Sequence, residues 1–196
     1  MLKLLVMLLV STIVFAQAEK KNPPEIDLVI EIHKKNLKKL ADVVKNTEER
    51  GEIYKGASDD EILSSRNCEP ASQAFYEILK KDPRTAKLPF KTVMTDKHFY
   101  LSLKIKSKTY IIDPTYRQFY FVYLNNIEME KGNGDGYQYN AKDYKCPMLL
   151  ITEKSMLRNS LESICTGLKP EWQVKIGGGY GGLGGFYPSK YEHWYK

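Results

Sequence analysis

The sequence has few of the residues that mark specialised classes of protein. It contains three cysteines, three histidines and two tryptophans among 196 residues, and after residue 18 no apolar run is long enough to cross a membrane. A hydrophobic content of 42% excludes a disordered or collagen-like chain. The excess of 30 basic over 24 acidic residues is small and scattered, so it does not indicate nucleic-acid binding. The composition therefore predicts one soluble domain with an ordinary apolar core.

The first eighteen residues have the pattern of a secretory signal peptide. Lys3 supplies a positive start, the segment from Leu4 to Phe15 is apolar, and the sequence Ala16-Gln17-Ala18 provides small residues for cleavage. The apolar segment is too short for a membrane span, which needs about 20 residues. We expect cleavage after Ala18 and a secreted or periplasmic protein, with a short membrane anchor or a buried strand as the alternative.

Export makes the three cysteines informative, because an oxidising compartment pairs most thiols. Cys68, Cys146 and Cys165 allow three pairings. The sequence favours a disulfide between Cys146 and Cys165, which lie close together in the chain, and leaves Cys68 free. Three reduced and buried cysteines are the alternative.

Apolar periodicity predicts helices first and strands afterwards, which indicates an α+β fold with N-terminal helices packed on an antiparallel sheet. Helices are expected from Pro24 to about Asn46, from Asp59 toward Cys68, from Cys68 to Lys81 and from Glu153 to Cys165. The strand-like runs are Leu88–Met94, Lys97–Ile105, Lys108–Asp113, Gln118–Leu124 and Met148–Ile151. Residues 19–175 form the expected domain, and residues 176–196 form a tail rich in glycine and aromatic residues.

Cys68 is a candidate nucleophile because it stands at the start of a predicted helix. The helix dipole and the free backbone N–H groups there favour a thiolate and lower the thiol pKa. A small buried side chain at a helix start is the other interpretation. His33, inside the first helix, is interpreted as structural.

His98 and Asp113 are predicted to meet in a hairpin. If Lys106 and Ser107 form its tip, Asp113 lies opposite Tyr100, and His98 and Asp113 become diagonal neighbours on one face of the sheet. A carboxylate in that place holds an imidazole in one tautomer. A three-residue loop would put the two side chains on opposite faces.

The order Cys68, His98, Asp113, with the aspartate followed by Pro114 and Thr115, resembles the Cys-His-Asp core of the transglutaminase-like and papain-like superfamily. The string from Asp113 to Phe119 is similar to bacterial members of that group. The resemblance covers residues 67–119, and it implies Cys68 as nucleophile, His98 as base and Asp113 as the partner that orients the base.

Two features depart from that pattern. Glu69 places a negative charge next to the nucleophile, which would raise the thiol pKa if it were unscreened. The glutamine that supplies an oxyanion donor upstream of the cysteine in papain-like enzymes has no counterpart here. The sequence offers other candidate oxyanion donors, namely the backbone N–H of Cys68 together with Asn67 or Gln118.

The expected function is a secreted cysteine hydrolase or acyltransferase that acts on protein or peptide amides through a thioester on Cys68. Protease, protein-glutamine deamidase and transglutaminase activity remain open. The alternatives are a catalytically inactive binding module on the same fold and a purely structural exported protein. The sequence indicates no cofactor and no metal site, and the expected partner is a protein or peptide substrate, without nucleic acid or a membrane span.

Overall fold

The computed structural model describes residues 22–46, 58–64, 67–95, 98–118 and 145–165. The expected signal peptide, the tail at 176–196 and all but the first residue of the expected strand at 118–124 lie outside these residues. The elements are α1 (Pro24–Lys45), α2 (Asp59–Leu63), α3 (Cys68–Lys81), β1 (Phe90–Met94), β2 (Phe99–Ile105), β3 (Lys108–Asp113), β4 (Leu150–Glu153), a 3₁₀ turn (Lys154–Met156) and α4 (Leu157–Ser163). Helices precede an antiparallel sheet with strand order β1-β2-β3-β4, so the predicted α+β class is confirmed.

The three N-terminal helices begin where the sequence predicts. Pro24 occupies the first turn of α1, where its missing N–H costs nothing. Ser58 and Glu61 form a capping box at α2. The helix α3 ends before Asp82 and Pro83, and the Thr85 hydroxyl donates to the Leu79 carbonyl oxygen at 2.6 Å.

The hairpin of β2 and β3 has the register that the sequence predicts. Leu101 pairs with Ile112, and Ile105 pairs with Lys108 across a two-residue turn. Lys106 in that turn has a φ of 54°, which lies in the left-handed region. The turn forms without the glycine or asparagine that favours such a backbone.

The C-terminal part of the described sheet differs from the prediction. β4 begins at Leu150 rather than Met148 and continues through Glu153, because Thr152 and Glu153 pair with Ile111 and Tyr110 of β3. The predicted helix from Glu153 to Cys165 is therefore wrong at its start. The chain passes through a 3₁₀ turn first, and α4 ends at Ser163.

Apolar side chains cover both faces of the sheet. Leu101, Leu103 and Ile112 pack with the buried residues of α1, α2 and α3 on one face. Tyr100 and Ile111 alternate to the other face, where they pack with Val93 of β1, Leu150 of β4, Leu161 of α4 and Tyr116. The sheet is thus a middle layer between two apolar clusters.

A disulfide joins Cys146 to Cys165, and Cys68 is the free cysteine. This is the pairing that the sequence favoured, and the three-thiol alternative is wrong. Within the described ranges no helix combines the length and the apolar character that a membrane crossing requires.

Candidate active site

The helix α3 brings Cys68 to the end of the sheet where β2 begins. Asn67, just before the helix, is buried and donates from Nδ2 to the Ile62 carbonyl oxygen at 2.7 Å. One turn along the helix, Ser72 donates from Oγ to the Phe99 carbonyl oxygen at 3.1 Å. The first hydrogen bond fixes the start of α3 to α2, and the second fixes it against the first residue of β2.

His98 directly precedes β2, and two hydrogen bonds with Thr95 hold its backbone. The His98 N–H donates to Thr95 Oγ1 at 2.9 Å, and the Thr95 N–H donates to the His98 carbonyl oxygen at 2.8 Å. The ring stacks on Tyr100, with the ring centroids 5.7 Å apart and the planes 24° from parallel. The imidazole is thereby fixed in position and orientation.

His98 and Asp113 meet as the hairpin register predicts. His98 Nε2 lies 2.6 Å from Asp113 Oδ2, and neither side chain has any exposed surface. The sequence placed His98 on the face that the core does not need, but this face is covered as well, by the cluster around Tyr100 and Leu150. The pair therefore lies in a dry environment, where a hydrogen bond between charged groups is strongest.

The second carboxylate oxygen of Asp113 is held by Thr115. The Thr115 backbone N–H donates to Asp113 Oδ1 at 2.8 Å, and the Thr115 hydroxyl donates to the same atom at 3.0 Å. The sequence predicts no contact for Thr115, which entered only through the resemblance of Asp113-Pro114-Thr115 to a motif. A threonine two residues after an aspartate is a turn signal that would have identified this contact.

Charge in the site favours a thiolate and an imidazolium. Burial raises the pKa of the Cys68 thiol, but the hydrogen bond and charge of His98, with a hydrogen bond from the Phe99 backbone, lower that pKa below its ordinary value overall. Burial lowers the pKa of His98, but the charge and hydrogen bond of Asp113, with those of Cys68, raise it to about 9. Glu69, the residue that departs from the family pattern, is exposed on α3, where water screens its charge.

The structure brings together all three residues that the sequence proposed for catalysis. Cys68 hydrogen-bonds to His98, and His98 hydrogen-bonds to Asp113. Because Asp113 takes Nε2, the ring nitrogen left for the thiol is Nδ1. Gln118, one of the two suggested oxyanion donors, lies 3.3 Å from Nδ1, whereas the other, Asn67, directs its side chain toward Ile62.

The side chain of His33 is buried in the protein. His33 lies in α1 with its ring edge-on to Phe75 at 5.1 Å, which agrees with a structural role.

Among the residues whose placement is described, no group of three His, Cys, Asp or Glu side chains could hold a metal ion.

Comparisons with known proteins add no assignment to this geometry. No family model matches the chain, and neither the curated proteins nor the solved structures contain a match.

Proposed function

We propose that the protein is a secreted cysteine hydrolase or acyltransferase that acts on amide bonds of proteins or peptides, on a transglutaminase-like or papain-like core. The observation that carries the proposal is the chain of hydrogen bonds from Cys68 through His98 to Asp113, at the junction of a helix start and two antiparallel strands. A nucleophile, a base and an orienting carboxylate in that order constitute a thiol acyl-transfer site.

The first half of the reaction forms a thioester. The Cys68 thiolate attacks the carbonyl carbon of the amide, and the carbonyl electron pair moves onto oxygen. When the tetrahedral intermediate collapses, the C–N bond breaks and His98 gives its Nδ1 proton to the leaving nitrogen. An amine or ammonia departs, and the acyl group remains on sulfur.

The second half transfers the acyl group to a new nucleophile. His98, now neutral, takes a proton from water or from an amine, which attacks the thioester carbon. The C–S bond breaks and the thiolate returns beside the imidazolium. Water attacking a peptidyl thioester completes proteolysis, water attacking a glutaminyl thioester completes deamidation, and a lysine amine completes cross-linking.

Asp113 keeps the imidazole productive through both halves. Its hydrogen bond to Nε2 leaves Nδ1 to exchange protons with Cys68. Thr115 holds the carboxylate from behind, so that rotation of Asp113 would break two hydrogen bonds. The carboxylate that orients the ring therefore has a rigid support of its own.

A single substrate mixture separates the three outcomes. Casein incubated with the protein and a dansylated primary amine reports cleavage as new α-amino groups, deamidation as ammonia without incorporated dansyl, and cross-linking as ammonia together with incorporated dansyl. We expect one of these signals in the wild type and in Glu69→Gln, a control at an exposed neighbour, and its loss in Cys68→Ala with an unchanged circular dichroism spectrum. A signal that persists in Cys68→Ala would contradict the proposal.

A further inference from the structure

The turn of residues 115–118, which follows β3, supports two members of the site. Thr115 donates twice to Asp113 Oδ1, and the Gln118 side chain lies 3.3 Å from His98 Nδ1. The Gln118 backbone N–H donates to the Thr115 carbonyl oxygen at 3.0 Å, which closes the turn. A displacement of this turn would therefore displace the carboxylate and the imidazole with it.

Arg117 anchors the turn to α2. Its guanidinium binds the Asp60 carboxylate with both ends: Nη1 donates to Oδ1, and Nη2 donates to Oδ2 at 3.3 Å. Nη1 also contacts the sulfur of Met148, just before β4. The Arg117 side chain is 5% exposed, so the guanidinium is held in a largely dry environment. Because a planar fork binds a carboxylate in one orientation, the ion pair fixes the turn relative to α2 in both distance and direction.

The helix α2 is also tied to the nucleophile. Asn67, the residue before Cys68, donates from its buried side chain to the Ile62 carbonyl oxygen at 2.7 Å. Ile62 and Leu63 are fully buried in the core, so α2 is itself fixed in the fold. This five-residue helix therefore contacts the cysteine half of the site through Ile62 and the histidine–aspartate half through Asp60.

We propose that the ion pair of Asp60 and Arg117 is a positioning element of the active site, which through α2 holds the His98 imidazole at the distance from Cys68 that proton exchange requires. This inference rests on the proposed function, because it concerns the alignment of the base with the nucleophile. A largely buried ion pair adds little net stability over apolar packing, so its geometry is its main contribution. An imidazolium stabilises a thiolate only within hydrogen-bond reach, and a misplacement of about 1 Å is enough to reduce reactivity strongly.

The direction of one effect separates positioning from the influence of charge alone. Asp60→Asn removes a negative charge, which by charge alone favours the Cys68 thiolate or leaves it unchanged. Loss of positioning acts in the opposite direction, because His98 no longer lies where it stabilises the thiolate. In the full chain we expect alkylation of Cys68 by iodoacetamide at pH 6, mapped by mass spectrometry, to fall about 10-fold in Asp60→Asn.

A second variant and a matched control complete the test. Arg117→Lys keeps the positive charge and loses the planar fork, so alkylation at pH 6 should fall in this variant as well. Asp59→Asn removes the neighbouring charge in the same helical turn, where Asp59 pairs with Lys45, and it should leave the rate unchanged. Asp60 is 34% exposed, so we expect Asp60→Asn to fold. Urea unfolding of each variant measures the change in stability separately from the reactivity of the folded protein.

The remaining outcomes overturn the inference in distinguishable ways. Unchanged or faster alkylation in Asp60→Asn, even with a loss of stability, would show that the ion pair only supports the fold. An equal fall in Asp59→Asn would show a general effect of charge on α2. If the wild-type thiol reacts at pH 6 no faster than an ordinary cysteine, the proposed function itself fails, whereas a reactive wild type with an unaffected Asp60→Asn removes only this inference.

Discussion

His98 Nε2 and Asp113 Oδ2 lie 2.6 Å apart between two side chains with no exposed surface. A buried pair of this kind has large consequences when one member loses its charge, because no water replaces the lost interaction. It also makes Nδ1, and not Nε2, the ring nitrogen that can exchange a proton with the thiol. Most of what the site can do follows from this one contact.

Asp113→Asn tests the carboxylate without changing its shape. The amide of the variant carries no negative charge, so the imidazolium loses the charged hydrogen bond at Nε2. The correct tautomer of the neutral ring is also no longer enforced. We expect acylation of Cys68 by p-nitrophenyl acetate to fall about 10²- to 10⁴-fold, and the pH at which Cys68 becomes reactive to rise. Asp42→Asn, on the exposed side of α1, should leave both unchanged. Equal rates in Asp113→Asn and the wild type would remove Asp113 from the mechanism.

The burial of His33 makes the free energy of unfolding depend on pH. Burial lowers the pKa of His33 from 6.5 to about 4 in the folded protein, so the unfolded chain binds the proton first as the pH falls. Above pH 6.5 the ring is neutral in both states, and protonation does not favour unfolding. As the pH falls from 6.5 to 4, the unfolded chain binds the proton and the free energy of unfolding decreases progressively. In urea unfolding, the free-energy difference between pH 7 and pH 4.5 should be about 2 kcal/mol smaller in His33→Leu than in the wild type. The same difference in both proteins would contradict the burial effect.

Lys106 has a backbone conformation that suits glycine. Its φ of 54° is costly for a residue with a Cβ, and it is the only non-glycine residue in the described ranges with a positive φ. Lys106→Gly should raise the free energy of unfolding by about 0.5 to 1 kcal/mol, because the relief of that cost exceeds the extra freedom of glycine in the unfolded chain. Ser107→Gly, next in the same turn, should lower it. Equal effects at the two positions would show that the turn has another geometry.

The raised pKa of His98 predicts different pH profiles for amides and activated esters. An amide leaves only after receiving the Nδ1 proton, so amide cleavage should decline as the pH rises through about 9, where His98 loses that proton. p-Nitrophenolate leaves without a proton, so ester acylation should not decline there. Initial rates of both reactions between pH 5 and 10 are the measurement. A common decline at about 9 would mean that the imidazolium proton is needed for the attack of the thiolate as well, and not specifically for proton donation to the leaving group.

The local parts of the site could be predicted from the sequence. Alternation along β2, with a two-residue turn at Lys106 and Ser107, fixes the register that makes His98 and Asp113 neighbours. The helix start at Cys68 follows from the apolar spacing after it. Each of these inferences depends on residues close together in the chain, where periodicity and turn chemistry decide the structure.

The rest of the site depends on contacts between distant parts of the chain, which the periodicity of the sequence does not predict. The approach of α3 to β2 requires the contact between Ser72 and Phe99, which lie 27 residues apart. His98 is buried on the second face of the sheet, where Tyr100 and Ile111 pack with side chains of β4 and α4, and periodicity did not predict that this face is covered.

The most direct test of a thiolate–imidazolium pair at Cys68 is the rate of its alkylation by iodoacetamide as a function of pH, mapped by mass spectrometry in the wild type and in His98→Ala. Because the pKa of the thiol lies below its ordinary value, we predict that rapid labelling extends to a lower pH in the wild type than in the variant, which lacks the imidazolium. Labelling that rises only near the ordinary thiol pKa of about 8.5 in both proteins would contradict the pair, and with it the acyl-transfer function.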